Sequence, residues 1–292
     1  VLAVVLLTAW AGWRVYGYFR KPSLLIAALD VGQGECLVVR APSGRTVLID
    51  GGTVSAPDRG DVGRSVIAPY LASLGVRKID ALIITHSDAD HVNGLPFVLR
   101  EVPVGLVIDG AWRGSRSAHA PGENAGEADY FALREQLRTR RIPVHAATPG
   151  QRLNLGDGVV LRVLAPVEPF LNGANNNAAV LRLEYGRVSA LFTGDIEQAA
   201  EERLVRRGLI APCTILKVAH HGSKTSTSPL WLKAAQPRAA VISAGRYNAF
   251  GHPAAQTLQR LAAAHVPVFR TDRQGAVEFR CDKSTCRAQT YK

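Results

Sequence analysis

Short apolar runs recur along most of the chain, separated by stretches with helical spacing. Runs at 24–31 (LLIAALDV), 36–41 (CLVVRA), 46–50 (TVLID), 81–85 (ALIIT), 105–109 (GLVID), 159–166 (VVLRVLAP), 179–185 (AVLRLEY), 189–195 (SALFTGD), 214–219 (TILKVA) and 239–244 (AAVISA) are for the most part β-branched and bounded by Gly, Pro or Asp, which predicts strands. Helical spacing fits 62–74, 129–141, 197–207 and 253–264, with Asp129 as a cap for the second and Pro253 in the first turn of the last. Residues 112–127 read as an exposed loop. Strands come in groups with helices between some of them, so the expected class is α/β, with sheets covered by helices, in one domain over 22–292.

Residues 1–21 do not fit that domain. They are apolar, rich in Trp and Tyr, and close on Arg20 and Lys21, as the tail of a transmembrane helix would. A signal-peptide core is the alternative. The chain has no methionine and opens on Val1, so it is expected to be part of a longer protein.

The chemistry gathers where strands stop. TVLID ends in Asp50, ALIIT runs into His86, SALFTG into Asp195, and LKVA into His220 and His221. Most telling is HSDADH (86–91), with four metal-type ligands, His86, Asp88, Asp90 and His91, in six positions. Imidazoles and carboxylates packed so closely need something positive among them. Nitrogen and oxygen donors together suit zinc or manganese, as one ion or two. Taken singly each piece has a plainer reading: Asp50 as a turn, Asp195 as a helix cap, the His pair as structural.

Charge narrows the partners. Lys plus Arg total 35 against 24 acidic residues, a net +11, and only seven of the 35 are lysine. Arginine suits bidentate capture of phosphate, although a GC-rich genome also produces such a bias. Cys281 and Cys286 are close enough to staple a C-terminal hairpin or to remain free thiols, and no CxxC zinc spacing occurs.

HSDADH resembles the HxHxDH signature of the metallo-β-lactamase fold, with Asp88 at the second His. Together with LDVGQGE (29–35), LIDGG (48–52), NNNAAVLRL (175–183), LFTGD (191–195), LKVAHHGSKTS (216–226) and NAFGHP (248–253), it closely resembles the C-terminal domain of ComEC DNA-uptake channel proteins. The resemblance implies an αββα sandwich, two mixed sheets flanked by helices, with metals at one edge. By that likeness His86 and Asp88 serve a first ion, and Asp90 and His91 a second, with His220 or His221 joining. His220 is the expected ligand. Asp195 bridges, and Asp50 orients the site from behind. Asp90 also belongs to the catalytic group, with His221 and His252 expected to protonate or steady a leaving oxygen. Two departures make the first site poorer in nitrogen: Asp88 itself, and Asn175–Asn177 where the wider fold supplies a third His.

Asn176, Asn177, Lys217, Ser223, Lys224 and Asn248 are the residues expected to meet an anionic substrate. The sequence shows no strong aromatic interleaving of the kind that marks a stacking platform, so DNA contact, single- or double-stranded, is expected to run through the backbone and to be salt-sensitive.

The function expected is metal-dependent hydrolysis of phosphodiester bonds within a DNA-uptake channel, with other competence proteins as partners. A weakly catalytic DNA-binding module is one alternative. A hydrolase of lactams, lactones or thioesters is another. The resemblance places the domain at the bacterial cytoplasmic (inner) membrane, on its outer side, although Arg20 and Lys21 alone would favour the inner side.

Overall fold

The computed structural model describes residues 23–54, 56, 60–111 and 125–292. The expected membrane segment and residues 112–124 of the expected loop lie outside these. Among the described residues no helix is long and apolar enough to cross a membrane.

Among the described residues fifteen strands form two sheets. The first holds β1 (Leu24–Ala28), β2 (Leu37–Arg40), β3 (Thr46–Ile49), β4 (Ala81–Ile84), β5 (Val107–Asp109), β6 (Val144–Ala146), β14 (Ala276–Cys281) and β15 (Cys286–Tyr291), in the order β15-β14-β1-β2-β3-β4-β5-β6. The second holds β7 (Arg152–Gly156), β8 (Val159–Ala165), β9 (Val180–Tyr185), β10 (Val188–Phe192), β11 (Ile215–Lys217), β12 (Ala239–Ile242) and β13 (Val268–Arg270), in the order β13-β12-β11-β10-β9-β8-β7. Both are mixed. Pairing is antiparallel at one end and parallel from β3 to β6 and from β10 to β13.

β1 shows why these strands read as unbroken apolar runs. Leu24, Ile26 and Ala28 face the layer between the sheets, where Leu181, Leu183 and Phe192 meet them. Leu25 and Ala27 face the opposite way, into a second layer with Leu71, Leu95 and Leu133 from the helices Ala68–Ser73, Leu95–Glu101 and Ala125–Thr139. A third layer packs Trp231, Leu204 and Leu261 from three other helices onto the outer face of the second sheet. Three apolar layers make an αββα sandwich, with the central strands of each sheet buried on both faces and the edge strands β7 and β15 open to solvent.

Some elements differ from expectation. The helix expected at 129–141 begins at Ala125, so Asp129 lies inside it and caps nothing. Pro253 precedes the helix Ala255–Ala263 instead of lying in its first turn. Cys281 and Cys286 face each other across β14 and β15 and form a disulfide.

Because β3 and β4 run parallel, as do β10 and β11, each pair delivers its carboxyl ends to one edge of its sheet, where ligands of such sheets collect. Ser243 Oγ donates to Gly34 O at 2.7 Å, Gly245 N to the Gln33 side chain at 3.0 Å, and Ala179 N to Thr85 O at 2.9 Å. These bonds tie the two edges together.

Candidate metal centre

Asp50 follows β3 in a left-handed conformation (φ 57°), which turns its buried carboxylate under the end of β4. There it accepts from Thr85 N (2.7 Å) and Thr85 Oγ1 (2.6 Å), and lies 2.7 Å from His91 Nδ1. Thr85 Oγ1 is in turn 3.0 Å from His86 Nδ1. Both rings are thereby held by Nδ1, and Nε2 of each has no hydrogen-bond partner. Glycine is required nearby. A Cβ on Gly52 would come within 2.4 Å of Ala89 O, and one on Gly34 within 2.6 Å of Asp90 O. The short helix Ala89–Val92, which carries Asp90 and His91, rests directly on these two glycines.

The second sheet supplies the other half. Asp195 follows β10 after Gly194. His220 and His221 follow β11, both left-handed (φ 51° and 52°). That pair of unusual conformations separates the two rings. His221 turns inward, with Nδ1 3.0 Å from Ser243 O and Nε2 3.2 Å from Asp90 and 3.4 Å from Asp195. His220 stays at the mouth, 3.9 Å from Asp195 and 3.5 Å from Glu197.

One donor atom from each of Asp90, His91, Asp195 and His221 lies within 4.8 Å of the other three. His91 Nε2 and Asp195 Oδ1 lie 3.4 Å apart, buried and without a hydrogen-bond partner. Two imidazole nitrogens and two carboxylates, with each imidazole's far nitrogen tied to a carboxylate or a carbonyl, fit a divalent cation.

Electrostatics agree. Burial opposes ionisation of Asp195, yet His221 and His91 outweigh it and hold the carboxyl well below its usual range. Burial likewise opposes charge on His91, but Asp195 and Asp50 raise its pKa well above the ordinary imidazole value. His252 behaves oppositely. Burial, with His220 and His221 alongside, lowers it to about 4.

The structure brings His86, Asp90, His91, Asp195, His220 and His221 to one place, with Asp50 behind them. His221, expected as a proton donor, sits in the four-atom cluster where His220 was expected. Asp88 is within 3.5 Å of His86 Nε2 and 48 % exposed. Lys217 corrects the sequence reading: it is fully buried and ion-paired with Glu35, so it does not reach a substrate. Asn177 is spent on its own loop, bonding Leu171 and Gly173, and Asn248 likewise bonds Gly245 and His252. Asn176 reaches Asn172 O and Glu197. Ser223 is buried beside Thr225, while Lys224 is exposed. Thr85, Ser243 and Glu197 had drawn no attention in the sequence. Only Thr85, at the end of the ALIIT strand beside a ligand, carried a usable signal.

A profile of the metallo-beta-lactamase superfamily matches residues 29–246. ComE operon protein 3 of Bacillus subtilis is 30 % identical over 262 residues, 86 % of this chain and 32 % of that protein. Competence protein ComA of Neisseria gonorrhoeae is 32 % identical over 291 residues, 99 % of this chain and 37 % of that protein. The chain thus spans about a third of the length of the curated relatives it matches. Among solved structures, CmlA, a diiron β-hydroxylase from Streptomyces venezuelae, superposes with a TM-score of 0.53 over 93 % of this chain and 54 % of that one, at 16 % identity, a likeness of fold alone. The chain belongs to the metallo-beta-lactamase superfamily, and the two relatives named are ComEC-family competence proteins.

Proposed function

We propose that the chain is a metal-dependent phosphodiesterase acting on DNA, and that it forms one domain of a DNA-uptake channel. The observation that carries the reading is the cluster of Asp90, His91, Asp195 and His221 at an edge where both sheets end. The competence relatives and the net +11 charge support DNA as the anion. Residues 1–21, as the tail of a membrane helix, would set the domain 22–292 against the membrane, on its outer side.

Asp90, His91, Asp195 and His221 would hold a divalent ion, which when bound would supply Lewis-acid catalysis at the phosphoryl group. The protein's own share is orientation and charge. Asp50 and Ser243 O fix the tautomers of His91 and His221, so Nε2 of each faces the cluster. His221, engaged at both nitrogens, holds and does not shuttle. His252, with a pKa near 4, is neutral at pH 7 and can offer a hydrogen bond but not an imidazolium proton. His220 lies between it and Asp195, with ring centroids 5.6 Å from those of His252. These two histidines form the mouth where a leaving oxygen would pass. His86 and Asp88 stand outside the four-atom cluster and offer only one imidazole between them, which favours one tightly held ion over two.

Purified chain with Mn²⁺ or Zn²⁺ is expected to cleave end-labelled DNA, and Asp90→Ala to abolish it. Equal cleavage by wild type and Asp90→Ala would mean a contaminating nuclease and would remove the proposal. So would efficient turnover of a chromogenic lactam in place of DNA.

A further inference from the structure

The sequence shows no regular aromatic interleaving, yet folding gathers rings at one place. The loop 246–252 (RYNAFGH) presents Tyr247 at 79 % exposure and Phe250 at 61 %. These are the two most exposed large apolar side chains among the described residues. Their position is not incidental. The Phe250 ring stacks on His252 (5.9 Å, 24° between planes), and His252 is 6.5 Å from His221 of the cluster. The loop also borders a cleft of about 840 Å³, whose walls carry Arg246, Arg273 and Lys292 with Tyr247 and Tyr291, beside the carboxylates of Asp30 and Asp272, the latter paired with Arg270. That volume lies within the roughly 300–1,000 Å³ of small-ligand sites.

The loop is held firmly. Asn248 Nδ2 donates to Gly245 O (2.7 Å) and His252 O (2.6 Å), and Asn248 Oδ1 accepts from His252 N (2.9 Å). Gly245 N is fastened to Gln33 on the opposite sheet. Three bonds from one side chain therefore stiffen a loop that displays two solvent-facing rings. Rigid exposed rings cost little entropy when something stacks on them. Arg246 lies over the Tyr247 ring at 5.4 Å, placing a cation beside a stacking surface.

We infer that Tyr247 and Phe250 form a base-stacking platform that receives unpaired nucleotides of a single strand and leads its backbone from the Arg246–Arg273 cleft to the Asp90–His221 cluster. Stacking needs a free base face, which an intact duplex hides, whereas a single strand offers both the rings and the phosphates this surface matches. The inference rests on the nucleic-acid reading above and deepens it by naming the strand state.

The test measures binding in EDTA, so that catalysis plays no part. The probes are a fluorescein-labelled 12-mer of dT, an abasic 12-mer of equal charge, and a blunt duplex of the same length. Wild type is expected to bind the dT strand about tenfold more tightly than the abasic strand, as one stacked base provides. Tyr247→Ala with Phe250→Ala should erase that difference, and Tyr247→Phe should keep it. Equal affinity for dT and abasic strands, or for dT and duplex, overturns the platform while leaving a backbone-binding nuclease intact. No binding of any probe overturns both the platform and the nucleic-acid reading. The wild-type comparison needs no variant to fold.

Discussion

Asp50 Oδ2 stands 2.7 Å from His91 Nδ1 while the same carboxylate receives both the amide and the hydroxyl of Thr85, whose hydroxyl in turn reaches His86 Nδ1. One buried carboxylate thus sets two imidazoles, one directly and one through a threonine. Such partners fix ring orientation and raise ligand basicity. Asp50→Asn keeps the volume and an acceptor for the Thr85 amide, but its Nδ2 cannot accept from the Thr85 hydroxyl or from His91 Nδ1, and the charge facing His91 is gone. Its affinity for Zn²⁺ or Mn²⁺ is expected to fall about 10- to 100-fold with the fold intact. Metal titration against a chelating dye, with far-UV circular dichroism as the control, checks this. Unchanged affinity would reduce Asp50 to a turn residue.

The adjacent histidines should behave differently. His221 Nε2 lies between Asp90 and Asp195, whereas His220 contacts Asp195 only at 3.9 Å. His221→Ala is expected to weaken metal binding by at least about 100-fold, beyond the range for an outer partner. His220→Ala should change it only a few-fold and act mainly on turnover. The reverse order, read by the same titration, would return the ligand role to His220.

Much of this centre was legible before folding because its ligands are dense and local. HSDADH puts four donors in six residues, and the strands ahead of each ligand are buried on both faces, so their apolar runs end sharply. The choice between His220 and His221 was not legible, because two consecutive left-handed residues decide which ring turns inward, and nothing in AHHG announces them. Lys217 failed for another reason. In LKVA it looks like a polar contact, and only the packing of the second sheet, which holds β11, against the first, which holds β2, brings it to Glu35, far away in sequence. The helix Pro229–Ala235 was readable and missed: Ser228 accepts from Trp231 N at 3.2 Å, a Ser-Pro cap that the sequence displays.

Glu35 and Lys217 give a stability prediction. Both are fully buried, their side chains pair with each other, and neither charged group has another hydrogen-bond partner among the described residues. Burial pushes the Glu35 carboxyl up, opposed by Lys217. Removing one partner strands a charge in the core. Lys217→Met is therefore expected to cost about 3–5 kcal/mol in urea unfolding, while Lys217→Met combined with Glu35→Leu should recover most of it. If Lys217 instead met phosphate, the variant would keep its stability and lose salt-dependent DNA binding.

The cysteines allow a check that depends on pH. Cys36 and Cys213 are buried free thiols, and Cys281–Cys286 is a disulfide across β14 and β15. Burial raises the Cys36 thiol well above its ordinary value and pushes Cys213 up to about 12, partly offset by Arg182. A raised thiol pKa means less thiolate at a given pH. At pH 8 Cys213 has a thiolate fraction of about one in ten thousand, and only the thiolate attacks an aromatic disulfide reagent. The native chain should therefore show almost no reactive thiol at pH 8, with the rate climbing about tenfold per pH unit without levelling below pH 11. Unfolded in guanidinium it should show two thiols, and four after reduction. A fast native thiol at pH 8 would mean that one of the two cysteine environments opens readily. Four thiols without reductant would mean that the hairpin is closed by strand pairing alone.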